Sequence, residues 1–243
     1  MMHLIVDQGN TNTKWALFRN GALEKIYVSA NEKSVHTLNK FISENPQIKS
    51  SIVSSVDTLE EQLIKIIHEQ GINVLSYDQT TPLPIQNDYE TKDTLGKDRL
   101  AMAVGAFLKH PNQPSLIISF GTCITYNVVH KKAFLGGAIS PGLDMRLKSL
   151  HAFTDKLPLV KNVKIVNLIG RSTQDSILSG VINGIVAEVD MYIEKCKSEF
   201  KDLKVLITGG DAFFFAEHIK NPTFATQKIV LEGLAHILEY NLH

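Results

Sequence analysis

An α/β fold made of two related halves, with a cleft between them, is the architecture this sequence predicts. Two observations carry that expectation. A short apolar strand pattern runs into a polar turn with Gly and Thr, then into another strand, at Leu4-Ile5-Val6-Asp7-Gln8-Gly9-Asn10-Thr11. The pattern returns at Ile117-Ile118-Ser119-Phe120-Gly121-Thr122, again followed by a strand. Solenoid units repeat every 20–50 residues or so, and this echo is too widely spaced for them, so duplicated domains explain it better. The Pro-flanked connector His110-Pro111-Asn112-Gln113-Pro114 separates the halves, giving 1–112 and 113–243.

The elements follow in order. Residues 4–6 read as a buried strand, 7–13 as a polar turn and 14–18 as a second strand. Asn20-Gly21 is a hairpin signal leading into a third strand over 22–28. Residues 34–44 place apolar side chains at 35, 38, 41 and 42, which is helical spacing. A strand over 51–56 precedes Thr58-Leu59-Glu60-Glu61, a capping box opening a helix that Gly71 closes. Strand pattern returns over 72–77, Thr81-Pro82-Leu83-Pro84 interrupts it, and 100–108 is helical. In the second half, 116–120 and 124–129 are strands, and 136–142 is a Gly/Pro-punctuated loop before a helix over 143–153. A long helix runs from Ser172 to about Phe200, capped by Ser172 and Asp175, with Gly180 and Gly184 spaced to admit a neighbouring backbone. A strand over 205–208 ends in Gly209-Gly210, and two short helices complete the chain.

Composition narrows the function classes. With 44% apolar and 21% charged residues, the chain is globular rather than disordered. Twenty-five acids balance 25 Lys plus Arg, so there is no electrostatic footprint for nucleic acid and no polybasic membrane anchor. No apolar run is long enough to span a bilayer. Cys123 and Cys196 form no disulfide framework, and the segment before Asp7 lacks the pattern of a signal peptide. A cytoplasmic protein is expected. The P-loop, the dinucleotide Gly motif, the Gly-x-Ser-x-Gly elbow and zinc-ligand spacings are all missing from the sequence.

The chemistry therefore rests on the turns. At the first, Gly9 allows close backbone approach, while Asn10, Thr11 and Thr13 offer donors for phosphate oxygens. Lys14 adds charge, and Asp7 at the strand end suits a hydrated Mg²⁺. Taken alone, the same turn reads equally as an Asx-type hairpin with an exposed lysine; the second copy at Gly121-Thr122 and the Gly209-Gly210 turn tip the balance. Gly96-Lys97-Asp98-Arg99 opens a helix. An acid there is ordinarily a partner for the helix dipole, but Asp98 would also serve as a general base and Arg99 as a fork for a carboxylate. Tyr89 is a core aromatic or a substrate contact, and Thr173 by itself is a helix-start hydroxyl. Lys131-Lys132 is a solvated doublet.

These motifs, in this order, resemble those of type III pantothenate kinases. Asp7-Gln8-Gly9-Asn10-Thr11-Asn12-Thr13-Lys14 looks like the family's first phosphate motif, Gly96-Lys97-Asp98-Arg99 its substrate motif, and Gly121-Thr122-Cys123-Ile124-Thr125 its second phosphate motif. Gly136-Gly137, Ser140-Pro141-Gly142, Leu157-Pro158 and Thr208-Gly209-Gly210 fall in the family's order. The resemblance implies a duplicated ribonuclease-H-like, actin-like ATPase fold and phosphorylation of pantothenate to 4'-phosphopantothenate by ATP with Mg²⁺, the first step towards coenzyme A. It implies ATP contacts from Asp7, Gln8, Gly9, Asn10, Thr11, Asn12, Thr13, Lys14 and Thr122. Asp98 would be the proton acceptor, and Tyr89, Gly96, Lys97, Asp98, Arg99 and Thr173 would contact pantothenate. A homodimer is also implied, with Thr173 reaching the partner's substrate pocket.

Two positions depart from the family pattern. Ser119 stands where an Asp is associated with a monovalent cation, K⁺ or NH₄⁺, and Asn127 replaces the acid that commonly closes the second motif. Both changes remove negative charge. Two other readings compete: a non-catalytic transcriptional accessory protein on the same scaffold, or another actin-like small-molecule kinase or phosphoanhydride phosphatase. The retained Asp98 and the neutral net charge count against the first, and the Gly96–Arg99 motif with Thr173 against the second.

Overall fold

The computed structural model describes residues 1–9, 11–55, 60–221 and 223–242. Chain contacts divide it into two compact units, Met1–Lys109 with Lys132–Phe134 and Lys228–His243, and His110–Lys131 with Leu135–Gln227.

In the first unit, β1 (Met2–Gln8), β2 (Asn12–Arg19) and β3 (Ala22–Ala30) form an antiparallel meander. Asn20 and Gly21 take φ of 49° and 77°, the left-handed pair that a tight hairpin requires. After α1 (Ser34–Glu44), β4 (Ile48–Ser55) pairs parallel to β1. After α2 (Glu60–Glu69), β5 (Asn73–Ser76) pairs parallel to β4, so the sheet order is β3-β2-β1-β4-β5. The helical stripe lies where the spacing predicts it: Leu38, Phe41 and Ile42 of α1 pack with Leu63 and Ile67 of α2 on Leu4, Val6 and Trp15. The capping box at Thr58-Leu59 lies outside the described residues. The short strand β6 (Gln86–Asn87) pairs with Ala133 and Phe134, and α3 (Lys97–Lys109) follows.

The second unit repeats the topology. Strand β7 (Ser115–Phe120) pairs antiparallel with β8 (Cys123–His130), and β9 (Ala133–Pro141) lies beside β8. Lys131 and Lys132 form the two-residue connection, both with left-handed φ, so the doublet is a hairpin turn. The sequence reads 136–142 as a loop, but most of it is strand. Gly137, at φ +153°, sits so close to β8 that a Cβ would lie 1.8 Å from the Tyr126 carbonyl oxygen; its glycine serves strand packing, not a break. Next come α4 (Leu143–Ala152) and α5 (Thr173–Glu199). The Ser172 hydroxyl accepts from the Asp175 N–H at 3.1 Å, the cap expected there.

Helix α5 faces Ile177, Leu178, Val181, Ile182, Ile185 and Val189 into the unit's own core against Leu116, Ile118 and Tyr126. By length and hydropathy it is apolar enough to cross a membrane, which corrects the reading that no segment is, but that stripe is packed inside the unit. Gly180 and Gly184 are exposed on it, and a Cβ at either would meet nothing within 4 Å, so no backbone among the described residues packs there. Parallel β10 (Lys204–Thr208), α6 (Ala212–Ala216) and β11 (Phe224–Ala225) complete the unit, with order β11-β10-β7-β8-β9. The chain then re-enters the first unit as α7 (Ile229–Asn241), a 13-residue helix rather than a short one, packed along α3 and against β1 and β4.

Candidate active site

The first turn leaves β1 at Gln8 and re-enters the sheet at Asn12. The Gly9 N–H donates to the Asn12 carbonyl at 3.0 Å, closing it. Asn31, which the sequence reading did not single out, straps the turn: its Nδ2 donates to the Gly9 carbonyl at 2.8 Å and its Oδ1 accepts from Thr13 Oγ1 at 2.9 Å. Thr13 is fully buried and also shares a hydrogen bond of 2.8 Å with Ser34 Oγ, so its hydroxyl holds the turn in shape. Thr11 and Asn12 are exposed, while Asn10 lies outside the described residues. Gln8 Oε1 accepts from Ser55 Oγ at 2.7 Å, and the buried Gln8 Nε2 has no hydrogen-bond partner among the described residues.

The β1–β2 register sets Asp7 opposite Lys14, with Nζ 3.8 Å from Oδ2. Burial pushes the Asp7 carboxyl above the usual range; Lys14 opposes that shift and Asp98 adds to it. The Asp98 charge acts on the Asp7 carboxyl, so the first phosphate turn and the substrate motif share one electrostatic neighbourhood.

Asp98 is exposed in the first turn of α3. Gly96 makes room for it, since a Cβ there would lie 2.6 Å from Asp98 Oδ1. The Gly96 carbonyl accepts from the Arg99 N–H at 3.1 Å. Arg99 is 4% exposed, its guanidinium lying 5.6 Å from the Tyr89 ring and 5.5 Å from the Phe134 ring. Tyr77, another residue missed in the sequence, is fully buried and donates its hydroxyl to the Lys97 carbonyl at 3.3 Å. Burial and the nearby Asp98 and Asp78 charges raise that phenol far above its usual range. Its only sequence signal was an aromatic at the end of a strand pattern.

The second unit gathers three glycine turns. The Gly121 N–H closes on the Cys123 carbonyl at 3.1 Å, and the Gly142 N–H donates to the Thr122 carbonyl at 3.1 Å. A Cβ on Gly142 would lie 2.3 Å from the Gly121 carbonyl oxygen, and one on Gly209 2.3 Å from that of Phe120. Only glycine permits either approach. Thr122 is exposed at this junction. Asp211 follows the Gly209-Gly210 turn, with its carboxyl raised by burial and by Asp144. Ser119 faces Thr125 across β7 and β8, while the fully buried Asn127 donates Nδ2 to the Ile117 carbonyl at 3.3 Å and to Thr125 Oγ1 at 3.1 Å. Thr173 opens α5 and lines a cavity of about 550 Å³ with Arg146, Leu150, Leu157, Ile177 and Val181. Of the expected residues that are described, all belong to the first unit except Thr122, in the turn between β7 and β8, and Thr173, at the start of α5, which belong to the second. Among the described residues no three His, Cys, Asp or Glu side chains come together as metal ligands.

A family model described as type III pantothenate kinase matches residues 3–195. The type III pantothenate kinase of Christiangramia forsetii is 43% identical over 241 residues, covering 99% of each chain. Among solved structures, a Baf family protein from Campylobacter jejuni covers 98% of both chains with a TM-score of 0.63 at 19% identity. A ROK family glucokinase from Streptomyces griseus, solved with glucose and AMPPNP, covers 98% of this chain and 99% of its own with a TM-score of 0.54 at 12% identity. The latter two likenesses concern the fold, which is the actin-like one shared with sugar kinases.

The raised Asp7 carboxyl has a thermodynamic consequence. Its folded pKa exceeds its unfolded one, so stability falls as pH climbs from the ordinary aspartate range through the folded value. Asp7→Asn removes that loss, and the Lys14 partner it gives up is 40% exposed and contributes little. In the ligand-free protein, Asp7→Asn should melt above wild type at neutral pH and together with it in acid below the aspartate range. Thermal melts at both pH values check this; a variant that melts lower at neutral pH contradicts the assignment.

Proposed function

This chain belongs to the type III pantothenate kinase family and phosphorylates pantothenate with ATP in coenzyme A biosynthesis, and from that premise we propose that Asp98 takes the proton of the attacking hydroxyl. The observation that carries the reading is the exposed Asp98 carboxylate on the first turn of α3, within electrostatic reach of Asp7 on the first phosphate turn. Phosphoryl transfer asks mainly for positioning and charge neutralisation, plus one group to orient the nucleophile. Asp98 orients and deprotonates; the turn from Asp7 to Lys14, with Thr122, holds ATP. Tyr89, Gly96, Lys97, Asp98, Arg99 and Thr173 hold pantothenate, with the planar Arg99 fork on its carboxylate.

Kinases generally need Mg²⁺, and the residues fit it. The Asp98 charge raises the Asp7 carboxyl while Lys14 Nζ stands 3.8 Å from it, and two carboxylates acting on one another's surroundings suit a divalent ion. Asp7 would hold the ion, which supplies charge neutralisation at the phosphate oxygens. Gln8 Nε2, buried without a partner among the described residues, is a donor ready for a ligand oxygen. The chain acts in the cytoplasm on these small molecules, without nucleic acid or membrane.

The enzyme works as a homodimer. Support comes from the open side of α5 at Gly180 and Gly184 and from the exposed apolar side chains of Phe153, Leu168 and Ile169. The monovalent cation requirement is weakened, because Ser119 brings a hydroxyl without charge and Asn127 is committed to backbone and Thr125.

Three measurements test these readings. Asp98→Asn should lower kcat by about 10²–10⁴-fold with ATP binding retained; near wild-type kcat at saturating substrates would sink the base. Mixed Thr173→Ala and Asp98→Asn subunits should recover activity that neither has alone, and an active monomer in light scattering contradicts the dimer. Titration with K⁺ against a bulky organic cation should change wild-type activity little and Ser119→Asp activity strongly; strong K⁺ activation of wild type overturns the cation reading.

A further inference from the structure

On α5, fifteen positions beyond Thr173, the Glu188 carboxylate is the hub of a polar cluster whose Arg146 also lines the Thr173 cavity. Its Oε1 accepts from Tyr126 at 2.7 Å and from Ser140 Oγ at 2.5 Å, and its Oε2 from Arg146 Nη2 at 2.5 Å. Arg146 turns back on its own chain: Nε donates to the Pro141 carbonyl at 2.7 Å and Nη2 to Ser140 Oγ at 3.2 Å. Both members of the ion pair are about a fifth exposed. Burial opposes the Glu188 charge, but the bonds from Ser140, Arg146 and Tyr126 together hold its carboxyl below the usual range.

A bland account would make this cluster the glue between α4 and α5. The path of the bonds argues for more. Three of them end on Ser140 or Pro141, and the next residue is Gly142, whose N–H holds the Thr122 carbonyl. With the Gly121 oxygen 2.3 Å from where its Cβ would be, Gly142 is wedged against the second phosphate turn. A shift of the 140–142 segment therefore passes directly to Gly121 and Thr122. We propose that Glu188 and Arg146 are positioning residues for ATP, an ionic clamp that sets the second phosphate turn through Ser140, Pro141 and Gly142. The inference rests on the reading of Thr122 as an ATP contact.

Removing the Glu188 charge leaves Arg146 without its counter-ion and frees Ser140. Misplacement of about 1 Å by a mutation remote from the chemistry can cost up to about 100-fold, and one loosened backbone contact should cost about tenfold. In Glu188→Gln, KM for ATP should rise about tenfold while KM for pantothenate moves far less. A purely structural role would lower the melting temperature without that split. The double variant Glu188→Met with Arg146→Met removes both charges, so it should regain thermal stability, yet KM for ATP should stay high because the tether to 140–141 is still gone. Ser140→Ala, which keeps the ion pair, should give a smaller rise of about threefold and keeps the test open if Glu188→Gln does not fold. Thr122→Ala is the control. If it raises KM for ATP while Glu188→Gln and Ser140→Ala do not, the clamp is wrong and the ATP contact stands; the clamp also falls if the double variant recovers KM for ATP along with its stability. If Thr122→Ala leaves KM for ATP unchanged, the reading of the turn has failed and the clamp falls with it.

Discussion

Strands β1 and β7 are buried along both alternating faces, and most of what distinguishes this molecule depends on that burial. A side chain inside such a strand has no water to bond, and an unpaired polar group there costs about 1–3 kcal/mol. Polar chemistry is therefore pushed to the strand ends, where the backbone turns out of the sheet. Asp7 and Gln8 stand at the end of β1, and Ser119, Gly121 and Thr122 at or just beyond the end of β7. The echo in the sequence is the visible trace of this constraint, since an apolar run must stop where function begins.

The two turns share a backbone plan but are held by different means. At the first, a side chain does the work: Asn31 reaches the Gly9 carbonyl and the Thr13 hydroxyl, so its shape depends on a residue about 20 positions downstream. At the second, backbone packs on backbone, with Gly142 and Gly209 pressed against Phe120 and Gly121. A strap of hydrogen bonds tolerates small displacements, whereas a steric wedge transmits them. Distant side chains such as Glu188 accordingly have leverage on the second turn that nothing similar provides at the first.

Legibility in the sequence followed the range of the interactions. The meander of β1 to β3, the stripe of α1, the Ser172 cap and the buried face of α5 rest on neighbours a few residues apart, and periodicity or turn chemistry exposes them. Gly136 and Gly137 misled because glycine signals either a break or a close approach, and only the partner strand decides which. The motif residues were legible through the family resemblance, but their supports were not. Asn31, Tyr77 and the Arg146–Glu188 pair reach across 18 to 62 positions, for example Asn31 to Thr13, Tyr77 to Lys97 and Glu188 to Tyr126, and nothing local marks them. Thr13 is the converse: a hydroxyl in the motif that faces inward, because its alternation on β2 puts it on the buried side.

Net charge is zero, yet both turns gather acids: Asp7 with Asp98 in the first unit, Asp211 with Asp144 in the second. In each pair burial raises the inner carboxyl and the second acid raises it further, so the ligand-free protein holds these groups against their preference. Such a cost is bearable only beside the most stable elements. Asp7 stands at the end of the central strand β1 and Asp211 just past β10, the neighbour of β7, and both strands are covered by apolar residues with no part in the chemistry. Apolar burial and site electrostatics are in this sense one design: the strands that exclude water make the acids costly, and the same strands supply the stability that keeps them in place.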